Sequence, residues 1–79
     1  MNNEDISFRL KSVLKTMVSD YSLKGDINGD LFKSGLLDSL NTVRLVLAIE
    51  DEFKISFKEI NFEKLSCLEL IEIEVKKLI

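Results

Sequence analysis

Apolar residues recur at helical spacing in three stretches of this chain, separated by polar, glycine-punctuated segments. Over residues 4–19, Ile6, Leu10, Val13, Leu14 and Met17 fall on one stripe, while Arg9, Lys11, Ser12, Lys15 and Thr16 fall away from it. That period predicts a first amphipathic helix. Asn2 or Asn3 is placed to cap it, and Glu4 and Asp5 suit the positive end of its dipole. Residues 39–53 carry the strongest pattern. There Leu40, Val43, Val46, Leu47 and Phe53 read as one face, broadened by Leu45 and Ile49. Asn41, Arg44, Ala48, Asp51 and Glu52 read as the opposite face. Asp38 is the expected N-cap, which leaves Ser39 in the first turn.

Between these two helices, residues 20–38 form a long connection marked by Gly25-Asp26, Asn28-Gly29-Asp30 and Ser34-Gly35. Leu31, Phe32, Leu36 and Leu37 within it are apolar, so the loop is expected to dock on the core and to be functional. Beyond Phe53, Lys54-Ile55-Ser56-Phe57 alternates like an extended segment, and Asn61–Leu65 suits one short helical turn. Ser66-Cys67-Leu68-Glu69 has the form of a capping box opening a last helix from about residue 67 to the end of the chain. Leu68, Ile71, Val75 and Leu78 are its apolar members. The pattern predicts an all-α fold, a small four-helix bundle of three longer helices and one short one, with a long loop between the first and second.

Size and composition narrow the function. A chain of 79 residues is expected to form one domain with a modest core. Cys67 is the only cysteine, and the polar, acidic start Met1-Asn2-Asn3-Glu4-Asp5 is unlike a signal peptide; both suggest a reducing cytoplasm. No apolar run is long enough to span a bilayer, so no membrane insertion is expected. The 14 acidic and 11 scattered basic residues give a net charge of −3, which argues against nucleic acid as a ligand. There is no histidine. Ser-His and Cys-His catalysis are thereby excluded, along with the commonest metal ligand, so an independent catalyst is not expected.

Three constellations read as ordinary structure. Asp26-Ile27-Asn28-Gly29-Asp30 resembles the start of a calcium loop, but Leu31 stands where glycine is needed and Leu37 where the bidentate glutamate should be. Cys67 before Leu68 reads as a small hydrophobe. Glu69–Val75 alternates apolar with acidic residues, whereas a membrane-surface helix would show Lys or Arg. No metal site is expected.

Ser39 is different. Its hydroxyl lies where a glycine-containing loop hands over to a helix N-terminus, where backbone amides and the helix dipole favour a phosphate ester. The run from Gly35 through Phe53, with Asp38-Ser39-Leu40 at its head, closely resembles the modification site and second helix of the acyl carrier proteins. Phe53–Phe57 and Phe62–Leu65 look like later landmarks of that family, so the resemblance covers about residues 31–79 by motif. It implies a non-catalytic carrier whose Ser39 receives 4′-phosphopantetheine from coenzyme A through a phosphopantetheinyl transferase, with Asp38 assisting. The terminal thiol would then hold an acyl or aminoacyl group for a loading ligase and downstream acyl-processing enzymes. The expected pathway is fatty-acid, polyketide or related biosynthesis, with a D-alanyl or aminoacyl carrier as the alternative, and a monomer as the expected state. A helical interaction module without a prosthetic group is the competing class, in which Ser39 is only a cap.

The resemblance also implies docking through the exposed stripe beside Ser39, assigned to Leu40, Asn41, Arg44 and Asp51. Family members of fatty-acid synthesis are acidic along this stripe, whereas Asn41 is neutral and Arg44 positive here. Gly35-Leu36-Leu37 looks more like the D-alanyl carriers. Arg44 reads either as a selector of partners or as a locally paired helix residue. Some members fold an acyl chain between their helices; Val43, Val46, Leu47, Ile60, Leu65 and Ile71 would be the walls here, chosen by helical phase.

Overall fold

A computed structural model of the protein describes residues 3–58 and 61–79. Among them are three α-helices, α1 (Asn3–Tyr21), α2 (Ser39–Phe53) and α3 (Leu68–Lys76), with one 3-10 turn at Phe62–Leu65 between α2 and α3. The all-α expectation holds. The fourth member of the expected bundle is only this four-residue turn. Asn2 and Ile60 lie outside the described residues.

The stripe Ile6, Leu10, Leu14 and Met17 buries α1 against α2 and α3, and Val13 and Val18 pack at its margins. The helix runs past the expected residue 19 because a specific device stops it. Ser22 takes a left-handed backbone conformation (φ 53°), and the Leu23 amide donates to the Val18 carbonyl at 3.0 Å. Leu23 then packs on the core. The end of α2 repeats this arrangement: Lys54 is left-handed (φ 55°, ψ 47°), the Ile55 amide donates to Glu50 O at 3.2 Å, and Ile55 packs inward. This is the Schellman pattern, built on residues other than the usual glycine.

The face of α2 that enters the core differs from the expected one. Thr42, Leu45, Ile49 and Phe53 are buried, with Val46 beside them and Asn41 at the edge. Leu40, Val43 and Leu47 are 58%, 49% and 60% exposed. The spacing 42, 45, 49, 53 follows the helical repeat, and at 100° per residue Leu40, Val43 and Leu47 come out on the far side of the helix. Two apolar stripes share α2, and only one of them enters the core.

The α3 region departs in detail as well. Its N-cap is Cys67, in extended conformation with no side-chain cap bond, and not Ser66. Ser66 closes the preceding 3-10 turn in helical conformation, and its carbonyl accepts from the Leu31 amide at 2.7 Å. An N-cap needs the extended backbone that only Cys67 provides. The helix ends at Lys76, short of the expected C-terminal reach, and Leu78 is exposed; Ile71 and Val75 are fully buried.

Leu31, Leu36 and Leu37 are buried, so the long connection does dock on the core. Asp30 Oδ1 accepts from the amides of Phe32 and Lys33, and Asp26 Oδ1 from that of Asn28. The aspartates that suggested a calcium loop serve their own turns. No group of three metal-ligating side chains occurs among the described residues. Gly25 has φ +141° and sits against Leu36: a Cβ on it would stand 2.6 Å from Leu36 Cβ.

Candidate functional site

The junction between this loop and α2 is held residue by residue. Leu36 is fully buried, and the Leu37 amide donates to the Leu31 carbonyl at 2.9 Å. Asp38 is extended (φ −129°, ψ −170°), and its Oδ1 accepts from the Asn41 amide at 2.8 Å, as expected of an N-cap. The Asp38 carbonyl accepts from the Thr42 amide at 2.9 Å and from Thr42 Oγ1 at 2.5 Å. Asp38 thus starts the helix with both its side chain and its main chain.

Ser39, the next residue, is exposed, and its hydroxyl has no hydrogen-bond partner among the described residues. It follows Asp38 immediately, as first residue of α2, where amides not reached by Asp38 have no intrahelical acceptor. A free hydroxyl at the positive end of a helix, on a junction pinned before and after it, can accept a bulky phosphoester without disturbing the core.

Of the residues expected to dock partners, Leu40 and Asp51 are exposed, Arg44 is half-buried and Asn41 is buried with only 7% exposure. Asn41 therefore belongs to the inner side of α2, contrary to its expected place on the outer face. Its Nδ2 donates to the Leu36 carbonyl at 3.3 Å, and its Oδ1 accepts from Arg44 Nη1 at 3.1 Å. The Arg44 guanidinium lies over the Tyr21 ring, 4.0 Å from the centroid. Arg44 is locally engaged.

Val43 and Leu47, expected from helical phase among the walls of an internal acyl pocket, do not line the core; both are exposed. Leu47 instead lines a cleft of about 500 Å³ between α1 and α2, with Val13, Met17, Tyr21 and Ala48. Leu65 and Ile71 are fully buried. Sequence reasoning missed Tyr21, which continues the stripe of α1 four residues after Met17 but lies beyond residue 19, where the helix was expected to end.

A small helical protein with a pinned junction and an exposed serine beside it has the form of a carrier domain. The phosphopantetheine attachment site family matches residues 9–72, and the chain belongs to that family: it is a phosphopantetheine-binding carrier protein, whose prosthetic group is covalently attached 4′-phosphopantetheine. Within this class it is similar to D-alanyl carrier proteins. That of Bacillus licheniformis is 35% identical over 60 residues, 76% of this chain and 77% of the relative. The one from Latilactobacillus sakei is 28% identical over the same shares, and that of Leuconostoc citreum is 40% identical over 43 residues, 54% of each chain. Among the described residues, no helix is long and apolar enough to cross a membrane.

Proposed function

We propose that this protein carries an aminoacyl group, D-alanine foremost, on a 4′-phosphopantetheine arm attached through Ser39. The similarity to the D-alanyl carrier of Bacillus licheniformis carries this reading, and it favours the aminoacyl alternative over the fatty-acid role expected first. The terminal thiol of the arm supplies the chemistry, holding the aminoacyl group as a thioester. The chain's own residues present and recognise. Asp38 holds the start of α2, and Ser39 Oγ becomes the ester oxygen when a transferase moves the phosphopantetheinyl group from coenzyme A.

Two observations are consistent with a short cargo. The residues at the centre of the molecule are fully buried, so the carrier has its apolar core filled by its own side chains. The first turn of α2 holds no acidic residue, unlike the acidic stripe of fatty-acid carriers. Leu40, Val43 and Leu47, with Asp51 beyond them, form the face that meets the loading ligase and the transferase. Such contacts suit weak, releasable docking, because a tethered cargo is already at high local concentration once the protein has docked.

Intact-protein mass spectrometry tests the reading. Incubation with coenzyme A, magnesium and a broad-specificity phosphopantetheinyl transferase should add one phosphopantetheine to the wild type and none to Ser39→Ala. The loaded protein, offered D-alanine, L-alanine and octanoate with ATP and the ligase that serves the Bacillus licheniformis relative, should gain D-alanine. Modification of Ser39→Ala would sink the site assignment, and transfer of octanoate in preference to D-alanine would sink the cargo.

A further inference from the structure

We propose that Tyr21, Arg44 and Asn41 form a brace that fixes the Leu36–Ser39 junction, so that Arg44 acts as a positioning residue for the Ser39 hydroxyl and not as a cation that meets partners. The inference deepens the function proposed above and rests on Ser39 being the residue modified.

The brace is continuous. The last residue of α1, Tyr21, supplies an aromatic face 4.0 Å from the Arg44 guanidinium carbon. Arg44 Nη1 donates to Asn41 Oδ1 at 3.1 Å, and Asn41 Nδ2 donates to the Leu36 carbonyl at 3.3 Å. A guanidinium only donates and a carbonyl only accepts, so one orientation of the Asn41 amide satisfies both neighbours. Flipping it would break both bonds at once. Burial of Asn41 shields these bonds from competing water.

The brace reaches the Leu36 carbonyl, which accepts from no main-chain amide among the described residues and is held by the Asn41 side chain. Leu37 is held by Leu31, and Asp38 by Asn41 and Thr42. Immediately before Leu36 stands Gly35, with φ +88° and open space around it, a position where the backbone turns with little steric restraint. Without a hold on the Leu36 carbonyl, motion at Gly35 would pass into the segment that carries Ser39. Arginine suits the place better than lysine because its planar group stacks flat on Tyr21 while a nitrogen at its rim reaches Asn41, a fixed geometry that a flexible point-charge ammonium does not reproduce.

Steady-state phosphopantetheinylation of the full chain tests this, using coenzyme A, magnesium and the broad-specificity transferase on wild type, Arg44→Lys, Arg44→Ala and Tyr21→Leu. Tyr21→Leu leaves the Arg44 charge in place. The brace predicts that all three variants stay helical by circular dichroism and lose kcat about tenfold while KM changes less than about twofold. Hydrogen exchange of the unmodified proteins should show the Leu37 amide opening faster in each variant. A higher KM for Arg44→Ala, with Arg44→Lys and Tyr21→Leu matching wild type, would make Arg44 a docking cation and overturn the proposal. Unchanged kcat in all three variants would overturn it as well. If the wild type gains no phosphopantetheine on Ser39, the site assignment fails separately, and exchange at Leu37 still decides whether the brace exists.

Discussion

Arg9 of α1 reaches the far end of α2, where its Nε lies 2.7 Å from Glu52 Oε2. Its Nη2 also donates to the Glu52 main-chain carbonyl, and the guanidinium lies 4.5 Å from the centre of the Phe53 ring. One side chain thus joins the two longest helices through a charge pair, a carbonyl near the negative end of α2 and an aromatic face. Arg44 and Tyr21 join the same helices near the other end of α2. Each end of the α1–α2 pair is closed by an arginine on an aromatic ring.

Removing the first clamp should be measurable. The ion pair is partly exposed and contributes little by itself, but the cation–π and carbonyl contacts go with it. Arg9→Ala is expected to lower stability by about 1–2 kcal/mol, read as a fall in urea midpoint at unchanged m-value. The loss should shrink in high salt as far as the Glu52 pair contributes.

The two apolar stripes of α2 should respond in opposite ways. Leu45→Ala or Ile49→Ala, in the buried stripe, is expected to cost about 2–5 kcal/mol in chemical denaturation. Leu40→Ser, Val43→Ser and Leu47→Ser should each stay within about 0.5 kcal/mol of wild type, while raising KM for the loading ligase. A large loss of stability from the second group would contradict the assigned faces.

The helix ends offer a gain. Ser22 and Lys54 hold left-handed backbone that glycine adopts without a Cβ penalty. Lys54→Gly should raise stability by about 0.5–1 kcal/mol, the relief outweighing the added freedom of the unfolded chain, and Ser22→Gly should behave similarly. Thermal and urea melts would check both.

Gly25 should resist substitution. Its φ of +141° and the approach of Leu36, whose backbone nitrogen would be 2.7 Å from an added Cβ, leave no room for alanine. Gly25→Ala is expected to cost about 2–4 kcal/mol and to slow phosphopantetheinylation, since Leu36 opens the junction to Ser39. Gly35→Ala meets no neighbour, so only its backbone conformation should cost.

Asp38→Ala should separate capping from presentation. Loss of the bond from the Asn41 amide is expected to cost about 1 kcal/mol. A loss of modification far larger than this instability explains would show that the carboxylate also serves the transferase.

The order of elements, the Asp38 cap, the buried stripe of α1, the docked leucines of the loop and the position of Ser39 at a helix start were all legible in the sequence. Each depends on local geometry: helical period, a cap beside an apolar run, glycines where the chain turns. Which stripe of α2 is buried was not legible. Helical period sets the angle between Leu45 and Leu47 but not the direction in which α1 and α3 lie. The same limit hid the inward turn of Asn41 and the meeting of Arg44 with Tyr21, residues 23 positions apart that only helix packing brings together. Ser66 looked like a cap until its carbonyl was claimed by Leu31, a bond across 35 positions. Periodicity and caps determined where helices form in this protein; the packing of α1, α2 and α3 decided which side chains were left over for recognition, because burial is settled between elements and not within them.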